Sequence, residues 1–176
     1  MKDVIETYRA AKSLELVYSS YNLTEVEHKL MNLALSKLNS HAEGQKNVSV
    51  VSYREYAELT GITLKSATFV LKDAVKQIFD REVVFKSETS ITRTRWLQEI
   101  TIDDTGTITL VWTDRVFKEV SLLQNSLYVQ LVNKRSMTLK GSYTIRLFEI
   151  LSGDRYIGNF CSKKKRHISS HKVVEL

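Results

Sequence analysis

Residues 63–79, with the sequence TLKSATFVLKDAVKQIF, decide the fold of this chain. A helix turns by roughly 100° per residue, and at that angle the segment divides into two contrasting sides. One side is apolar and comprises Ala67, Val70, Leu71, Ala74 and Ile78. The opposite side, called here the basic face, comprises Lys65, Phe69, Lys72 and Lys76. The pattern predicts a helix that packs its apolar side in the core and exposes the basic face.

A second helix is predicted immediately before this one, across a tight turn. The segment 53–59 has helical spacing and stops at Thr60-Gly61, and the next helix begins near Thr63. Two helices joined by a tight turn form a helix-turn-helix. Three strand-like segments follow, at 81–86, 92–102 and 107–112. Because Asp103-Asp104-Thr105-Gly106 is typical of a hairpin turn, we predict an α+β winged helix, in which a β-hairpin wing follows the helix-turn-helix.

Further helices are predicted on both sides of this unit. Thr24 and Glu27 have the spacing of a capping box, and helical spacing continues from there to Asn39. The last helix is predicted to begin at Thr138 or Ser142 and to end at Ser152-Gly153. The remaining expectations are short helices at 13–18 and 115–124, a loop at 40–47, and strands at 48–51 and 127–131.

The basic face and the predicted hairpin contain the candidate contacts to DNA. Lysines on a recognition helix pair with phosphates, and hydroxyl groups near its N-terminal end reach phosphates or base edges. Two arginines alternate in a predicted strand and point the same way, as required of a wing that lies along a phosphate backbone. The candidates are Lys65, Ser66, Lys72, Lys76, Arg93 and Arg95. The alternative is an amphipathic helix with a solvated lysine face, beside a sheet with a charged outer surface.

The positive charge of the chain is concentrated near residue 176. The formal net charge is +6, and residues 163–176 alone carry about +4. Lysine and arginine displace counterions from phosphates, so nucleic acid is the natural partner of such a segment. The candidate contacts here are Lys163, Lys164, Lys165 and Arg166. A solvated tail that keeps the protein soluble is the alternative.

Composition and missing motifs argue against several other classes of protein. There is one cysteine, no run of eighteen apolar residues and no signal peptide, which predicts a cytoplasmic protein. Cys161, His167 and His171 are too few for a structural zinc site. The chain has neither the His-apolar-His pair of nickases nor a phosphate-binding glycine loop. We therefore predict no enzyme activity, no metal and no cofactor, and we assign Trp96 and Trp112 to the core of the sheet.

Four groups of motifs occur in order between residues 12 and 152. The first joins KSLEL at 12–16 to YNLT at 21–24 and EHKLMNLALSKL at 27–38. The others are Tyr56-Ala57 with Gly61, then Trp96 and Ile100 with GTITL at 106–110, and finally SYTIRLFEIL at 142–151. In order and spacing they resemble the first winged-helix domain of iteron-binding plasmid replication initiators. The chain differs from that family at Phe148, where tyrosine is favoured, and at Gly141, where serine is more usual.

The resemblance implies functions that the residues alone do not. Such initiators have two winged-helix domains, so residues 1–152 would be the first domain and residues 153–176 a basic linker and the start of a truncated second one. Monomers bind repeated origin sites and help to open the origin and load the host helicase, alongside the host initiator. Dimers bind an operator and repress the initiator's own promoter. The first domain carries the dimer contact and touches the DNA backbone, and the second reads bases.

Three other functions remain open at this point. One is a free-standing winged-helix transcriptional regulator, and another is a protein-interaction module that does not contact DNA. The third is a nuclease or nickase, against which the missing motifs argue. Tandem repeats of about twenty base pairs in the neighbouring DNA would favour the initiator, and salt-dependent duplex binding would argue against a pure interaction module.

Overall fold

The computed structural model describes residues 9–38, 44, 46–121, 123 and 128–155. Helices and strands both occur in this part of the chain, and four consecutive strands follow a pair of consecutive helices, in agreement with the predicted α+β class. The elements in order are β1 Arg9–Ser13, α1 Leu14–Tyr18, β2 Ser20–Tyr21, α2 Glu25–Leu35, β3 Val48–Ser52, α3 Tyr53–Thr60, α4 Leu64–Ile78, β4 Glu82–Lys86, β5 Ile91–Arg95, β6 Leu97–Ile102, β7 Thr107–Trp112, α5 Asp114–Lys118, β8 Tyr128–Val132, α6 Asn133–Thr138 and α7 at 142–155.

Helices α3 and α4 form the predicted helix-turn-helix, and the β6–β7 hairpin beside them is the wing. Gly61 ends α3 in the left-handed region at φ 73°, which glycine adopts without steric cost. Strand β3 pairs with β7 and β7 with β6, all antiparallel, so the wing extends the strand that precedes α3. At the wing turn, Gly106 has φ 81°, and a Cβ added there would lie 2.9 Å from Cδ2 of Tyr53. The turn therefore packs directly on the start of α3.

The predicted strand at 92–102 is wrong in one respect, because the structure divides it into β5 and β6. Strand β5 pairs with β4 in a sheet of order β2-β4-β5, whereas β6 belongs to the wing. The break falls at Trp96, whose side chain is fully buried and meets the Tyr21 ring edge-on at 4.9 Å. Burial of this large ring between the sheets interrupts the strand. Arg93 and Arg95 consequently lie on β5, in a first hairpin (β4–β5), and not in the wing.

The termini of the domain contain elements that the sequence patterns did not predict. Strand β1 pairs with β8 along its whole length, and the predicted strand at 127–131 is confirmed as β8. The predicted end of the last helix is wrong, because the helix continues through Gly153 to residue 155. A side chain at position 153 would lie 3.1 Å from Oη of Tyr18, so glycine lets α7 pack closely on α1. The glycine serves packing there and does not end the helix.

A buried polar network fastens α7 to the first part of the chain. Glu149 of α7 is fully buried and forms an ion pair of 2.7 Å with the buried Nζ of Lys12 on β1. Its carboxylate also accepts hydrogen bonds from Tyr21 at 2.7 Å and from Asn32 at 3.3 Å. Burial raises the pKa of Glu149, but the charges of Lys12 and His28 and the hydrogen bonds from Lys12 and Tyr21 outweigh it and bring the pKa to about 2. Glu149 therefore remains charged inside the protein.

The remaining core is apolar and lies among α2, α3, α4 and the sheets. Trp96 and Trp112 are both fully buried, which confirms their assignment to the sheet core. The indole Nε1 of Trp112 donates to Oγ of Ser49 at 2.8 Å and so links β7 to β3. None of the helices in the described ranges has the length and hydropathy that crossing a bilayer requires.

Candidate nucleic-acid interface

Helix α4 exposes the basic face that its sequence predicts. Its inner side is buried at Ala67, Leu71, Ala74, Val75 and Ile78, and Val70 is half-buried. On the outer side Lys65, Lys72 and Lys76 are exposed, and Phe69 is exposed to 72%. At about 100° per residue the three lysines lie within roughly 60° of Phe69 around the helix. Asp73 is also exposed, about 40° to the other side of Phe69.

The hydroxyl groups at the start of α4 are engaged within the helix. Oγ1 of Thr63 caps the helix by accepting from the Ser66 backbone N–H at 3.2 Å, and the two hydroxyls lie 2.9 Å apart. The Thr68 hydroxyl donates to the Leu64 carbonyl at 2.9 Å. Ser66 is exposed, so its hydroxyl can still accept a second hydrogen bond from outside. Within the helix, the Ser66 hydroxyl already pairs with the hydroxyl of the capping residue Thr63.

A groove separates α4 from the tip of the wing. Leu64, Thr68 and Lys72 line its α4 side, and residues 102–106 line the wing side. Arg54, in the first turn of α3, is exposed and borders the same groove. Arg54 was not among the residues predicted from the sequence, although a basic residue in the first turn of the helix-turn-helix is a signal that could have identified it. Two cations from different helices thus approach one groove.

The tip of the wing carries negative charge. Asp103 and Asp104 both lie in the turn and line the groove. The Asp103 carboxylate accepts hydrogen bonds from the Thr105 hydroxyl at 2.6 Å and from the backbone N–H groups of Thr105 and Thr107, each at 2.9 Å. These bonds, the Thr105 hydroxyl first, hold the pKa of Asp103 below its usual range. Since an ionised carboxylate repels phosphate, α4 is better suited than the wing tip to contact a nucleic acid backbone.

The two arginines that the sequence assigned to the wing have acidic partners on the first hairpin. Arg93 donates from Nε and Nη2 to one carboxylate oxygen of Glu82, at 3.0 and 2.8 Å. Arg95 approaches Asp80 at 3.5 Å, and its guanidinium lies 5.3 Å from the centre of the Phe79 ring. Both arginines are exposed, and Arg95 lies near the C-terminal end of α4 because Phe79 caps that helix. Arg95 therefore adjoins the basic face, while the charge of Arg93 is offset by Glu82.

The remaining candidates from the sequence lie outside the described residues. These are the basic cluster Lys163, Lys164, Lys165 and Arg166, and the possible zinc ligands Cys161, His167 and His171. Among the residues that the structure describes, no group of three or more histidine, cysteine, aspartate or glutamate side chains is placed to hold a metal ion.

Comparison with solved structures finds proteins that are similar to this chain. The Pi initiator protein, solved in complex with iteron DNA, matches with a TM-score of 0.69 at 15% identity, over 84% of this chain and 64% of the Pi chain. The WH1 domain of MSBI1.176, a replication protein isolated from a multiple sclerosis patient, matches with a TM-score of 0.45 at 26% identity, over 56% of this chain and 79% of that one. The similarity to Pi confirms the winged-helix fold, and this chain spans somewhat less than two thirds of the length of Pi.

Comparison with protein families identifies the chain more closely. No curated protein matches the sequence. A family model described as "Initiator Replication protein, WH1" matches residues 9–152, which include every strand of the structure described above and all its helices except the last three residues of α7. The match begins at β1 and ends inside α7, so it covers the helix-turn-helix, the wing and the buried network together. The chain therefore belongs to this family of replication initiators and contains its WH1 domain.

Proposed function

We propose that this chain binds duplex DNA as the first winged-helix domain of a plasmid replication initiator. Its targets are origin repeats and an operator, and its contacts are mainly to the phosphate backbone. The observation that carries the proposal is the basic face of α4, on which Lys65, Lys72 and Lys76 are exposed and Lys72 lines the groove between α4 and the wing tip. The solved Pi initiator, which has the same fold, is bound to iteron DNA.

The contacts differ in how directly the structure supports them. Lys65, Lys72 and Lys76 are the central phosphate contacts, and Arg54 adds a cation that borders the same groove as Lys72. Ser66 and Arg95 flank the basic face, and Arg93 is a further contact that must first leave Glu82. The cluster Lys163, Lys164, Lys165 and Arg166 remains part of the proposal on its charge alone.

A binding titration at several salt concentrations tests the proposal. Neutralising phosphates releases counterions, so the logarithm of the binding constant should fall linearly with the logarithm of the salt concentration. The double variant Lys72→Glu/Lys76→Glu should weaken binding to every duplex sequence and reduce the salt slope by about two. Both side chains are exposed, so the variant should keep the unfolding free energy of the parent protein.

The matched control reverses two exposed lysines on other parts of the chain. Lys118 lies at the end of α5, and Lys140 lies between α6 and α7. Lys118→Glu/Lys140→Glu changes the net charge by the same amount but should leave most of the affinity and the salt slope intact. Equal losses in the two double variants would mean that net charge alone attracts DNA. Binding that does not depend on salt, or no duplex binding at all, would falsify the proposal and favour an interaction module.

Self-association and the later steps of replication complete the proposal. By the family resemblance, the monomer would act at origin repeats, with the host initiator and helicase, and the dimer would repress the initiator's own promoter in the cytoplasm. Residues 153–176 would lead into a second winged-helix domain that reads bases.

On α7, Tyr143, Leu147 and Leu151 are exposed to 78%, 41% and 56%, and their spacing of four places them on one face. This apolar stripe supports α7 as the dimer contact.

A further inference from the structure

We propose that Phe69 is a specificity-determining residue, which contacts the 5-methyl group of thymine in the major groove of bound DNA. This inference rests on the proposed function, since it requires that α4 faces duplex DNA. It also goes beyond that function, because phosphate contacts carry no sequence information of their own, whereas a methyl contact distinguishes one base from another.

Phe69 is a large apolar side chain at a position where it contributes nothing to the core of the domain. The apolar side of α4 already fills the core with Ala67, Leu71, Ala74, Val75 and Ile78, which lie on the opposite side of the helix. The Phe69 side chain is exposed to 72%, the highest value of any large apolar residue on α3 or α4. Leaving a phenyl ring in water forgoes the stabilisation that burial would give it. Function outside the domain is therefore the better explanation of this ring.

The surroundings of Phe69 indicate the chemistry of its partner. Lys65, Lys72 and Lys76 lie on one side of the ring around the helix and Asp73 on the other, so the net charge beside the ring is positive and the partner combines an apolar group with negative charge. Duplex DNA offers this combination in the major groove, where the thymine methyl is the apolar group and phosphates line both edges. An α-helix fits that groove, and phenylalanine is among the residues that contact the thymine methyl. With the lysines on phosphates, Phe69 would point toward the base edges.

Duplexes that differ only in this methyl group test the inference. The probes are a twenty-base-pair alternating adenine–thymine duplex and the same duplex with deoxyuridine in place of thymidine, which keeps the base pairing and removes the methyl. The parent protein should bind the thymine duplex more tightly, by about fourfold for each methyl that is buried. Phe69→Ala should bind both duplexes equally, with the affinity that the parent protein shows for the uracil duplex.

Two control variants separate the methyl contact from other effects. Lys72→Gln should weaken binding to both duplexes by the same factor and keep the preference for thymine. Val50→Ala removes part of a half-exposed apolar side chain on β3 and should change neither affinity nor preference. A duplex that contains cytosine and the same duplex with 5-methylcytosine give an independent check. The added methyl occupies the same place in the major groove as the thymine methyl. It should therefore strengthen binding by the parent protein but not by Phe69→Ala.

The outcomes are distinct for the inference and for the proposed function. If the parent protein binds duplex DNA with steep salt dependence but binds both duplexes equally, the Phe69 inference is overturned and the phosphate contacts stand. The inference is overturned in the same way if Phe69→Ala keeps the preference for thymine. If the parent protein binds neither duplex, both proposals fail, and Phe69 with its lysines would instead suit an acidic segment of another protein.

Discussion

Glu149 shows how the motif residues of this chain contribute to the fold. It belongs to the segment SYTIRLFEIL and contacts Lys12 and Tyr21, which belong to the first group of motifs. Arg146, from the same segment, donates to the carbonyls of Val17 and Ser19 and lies over the Tyr21 ring at 4.0 Å. Residues of the first and last motif groups thus meet in the interior. Their role is to hold α7 against β1 and β2, and the proposed DNA contacts lie elsewhere.

Glu149→Gln should destabilise the domain strongly. The change leaves the Lys12 ammonium buried without its countercharge, and breaking one side of a buried ion pair costs about 3–5 kcal/mol. Urea unfolding of this variant should show that loss of unfolding free energy. The control Glu99→Gln, at an exposed glutamate on β6, should stay close to the parent protein. Equal stabilities for the two variants would show that the network does not hold α7 in place.

His28 gives the domain a defined sensitivity to acid. Its side chain is buried beside the Tyr21 ring, with the two rings 5.8 Å apart, and burial lowers its pKa from 6.5 to about 4. The folded protein therefore binds this proton less readily than the unfolded chain does. The resulting stability is complete above pH 6.5 and is lost as the pH falls toward 4. The lowered pKa of Glu149 acts in the same direction at lower pH. Its contribution to stability is lost as the pH falls from 4.5 toward 2.

His28→Phe should remove the upper part of this pH dependence. In the parent protein the unfolding free energy should fall by up to about 3 kcal/mol between pH 6.5 and pH 4. In the variant, the curve should stay flat until Glu149 begins to protonate. Urea unfolding at half-unit pH intervals measures both curves. The same slope in both proteins between pH 6.5 and 5 would contradict the assignment to His28.

At the scale of elements, local patterns predicted α4, the turn before it and the turn of the wing correctly. Helical spacing marks the buried side of α4, and Gly61 and Gly106 mark turns that need positive φ. Those patterns are local, so they did not predict strand pairing between distant segments or burial that depends on the assembled fold. Strand β1 has no strand signal of its own and forms against β8, more than a hundred residues away. The break at Trp96 depends on a core that forms only when both sheets are assembled, so the sequence placed Arg93 and Arg95 on the wrong hairpin.

The arginines of the first hairpin should matter less for DNA binding than the lysines of α4. Arg93 and Arg95 each have an acidic neighbour, Glu82 and Asp80, which must be exchanged for phosphate. Exposed ion pairs contribute only about 0–1 kcal/mol to stability, so each arginine can leave its acidic neighbour. The lost ion pair reduces the net gain from the new contact to phosphate. Arg93→Gln/Arg95→Gln should therefore lower duplex affinity less than Lys72→Gln/Lys76→Gln, measured in the same buffer. A larger loss in the arginine variant would move the principal contact to the first hairpin.

At the scale of the whole molecule, α7 is exposed on one side and fixed on the other. Its inner side holds Glu149 and Ile145, both fully buried, and its outer side carries the stripe Tyr143, Leu147 and Leu151. The network that anchors the inner side therefore also fixes the position of the stripe. A rigidly held apolar helix face is suited to pack against the same face of a second copy, because a two-fold axis brings identical patches together. The surface area that these three side chains can bury is smaller than the roughly 800 Å² per partner of a standard interface.

The dimer should consequently be weak and should dissociate on dilution. Sedimentation velocity over a range of concentrations should show a monomer–dimer equilibrium for the parent protein. Leu147→Asp/Leu151→Asp should shift it to monomer, since the two carboxylates would be desolvated at the contact. Val50→Asp, on the edge strand β3, is the control for a dimer that forms through a strand. If the α7 variant still dimerises and Val50→Asp does not, the strand edge is the contact. A parent protein that remains monomeric at high concentration would remove self-association from the proposed function.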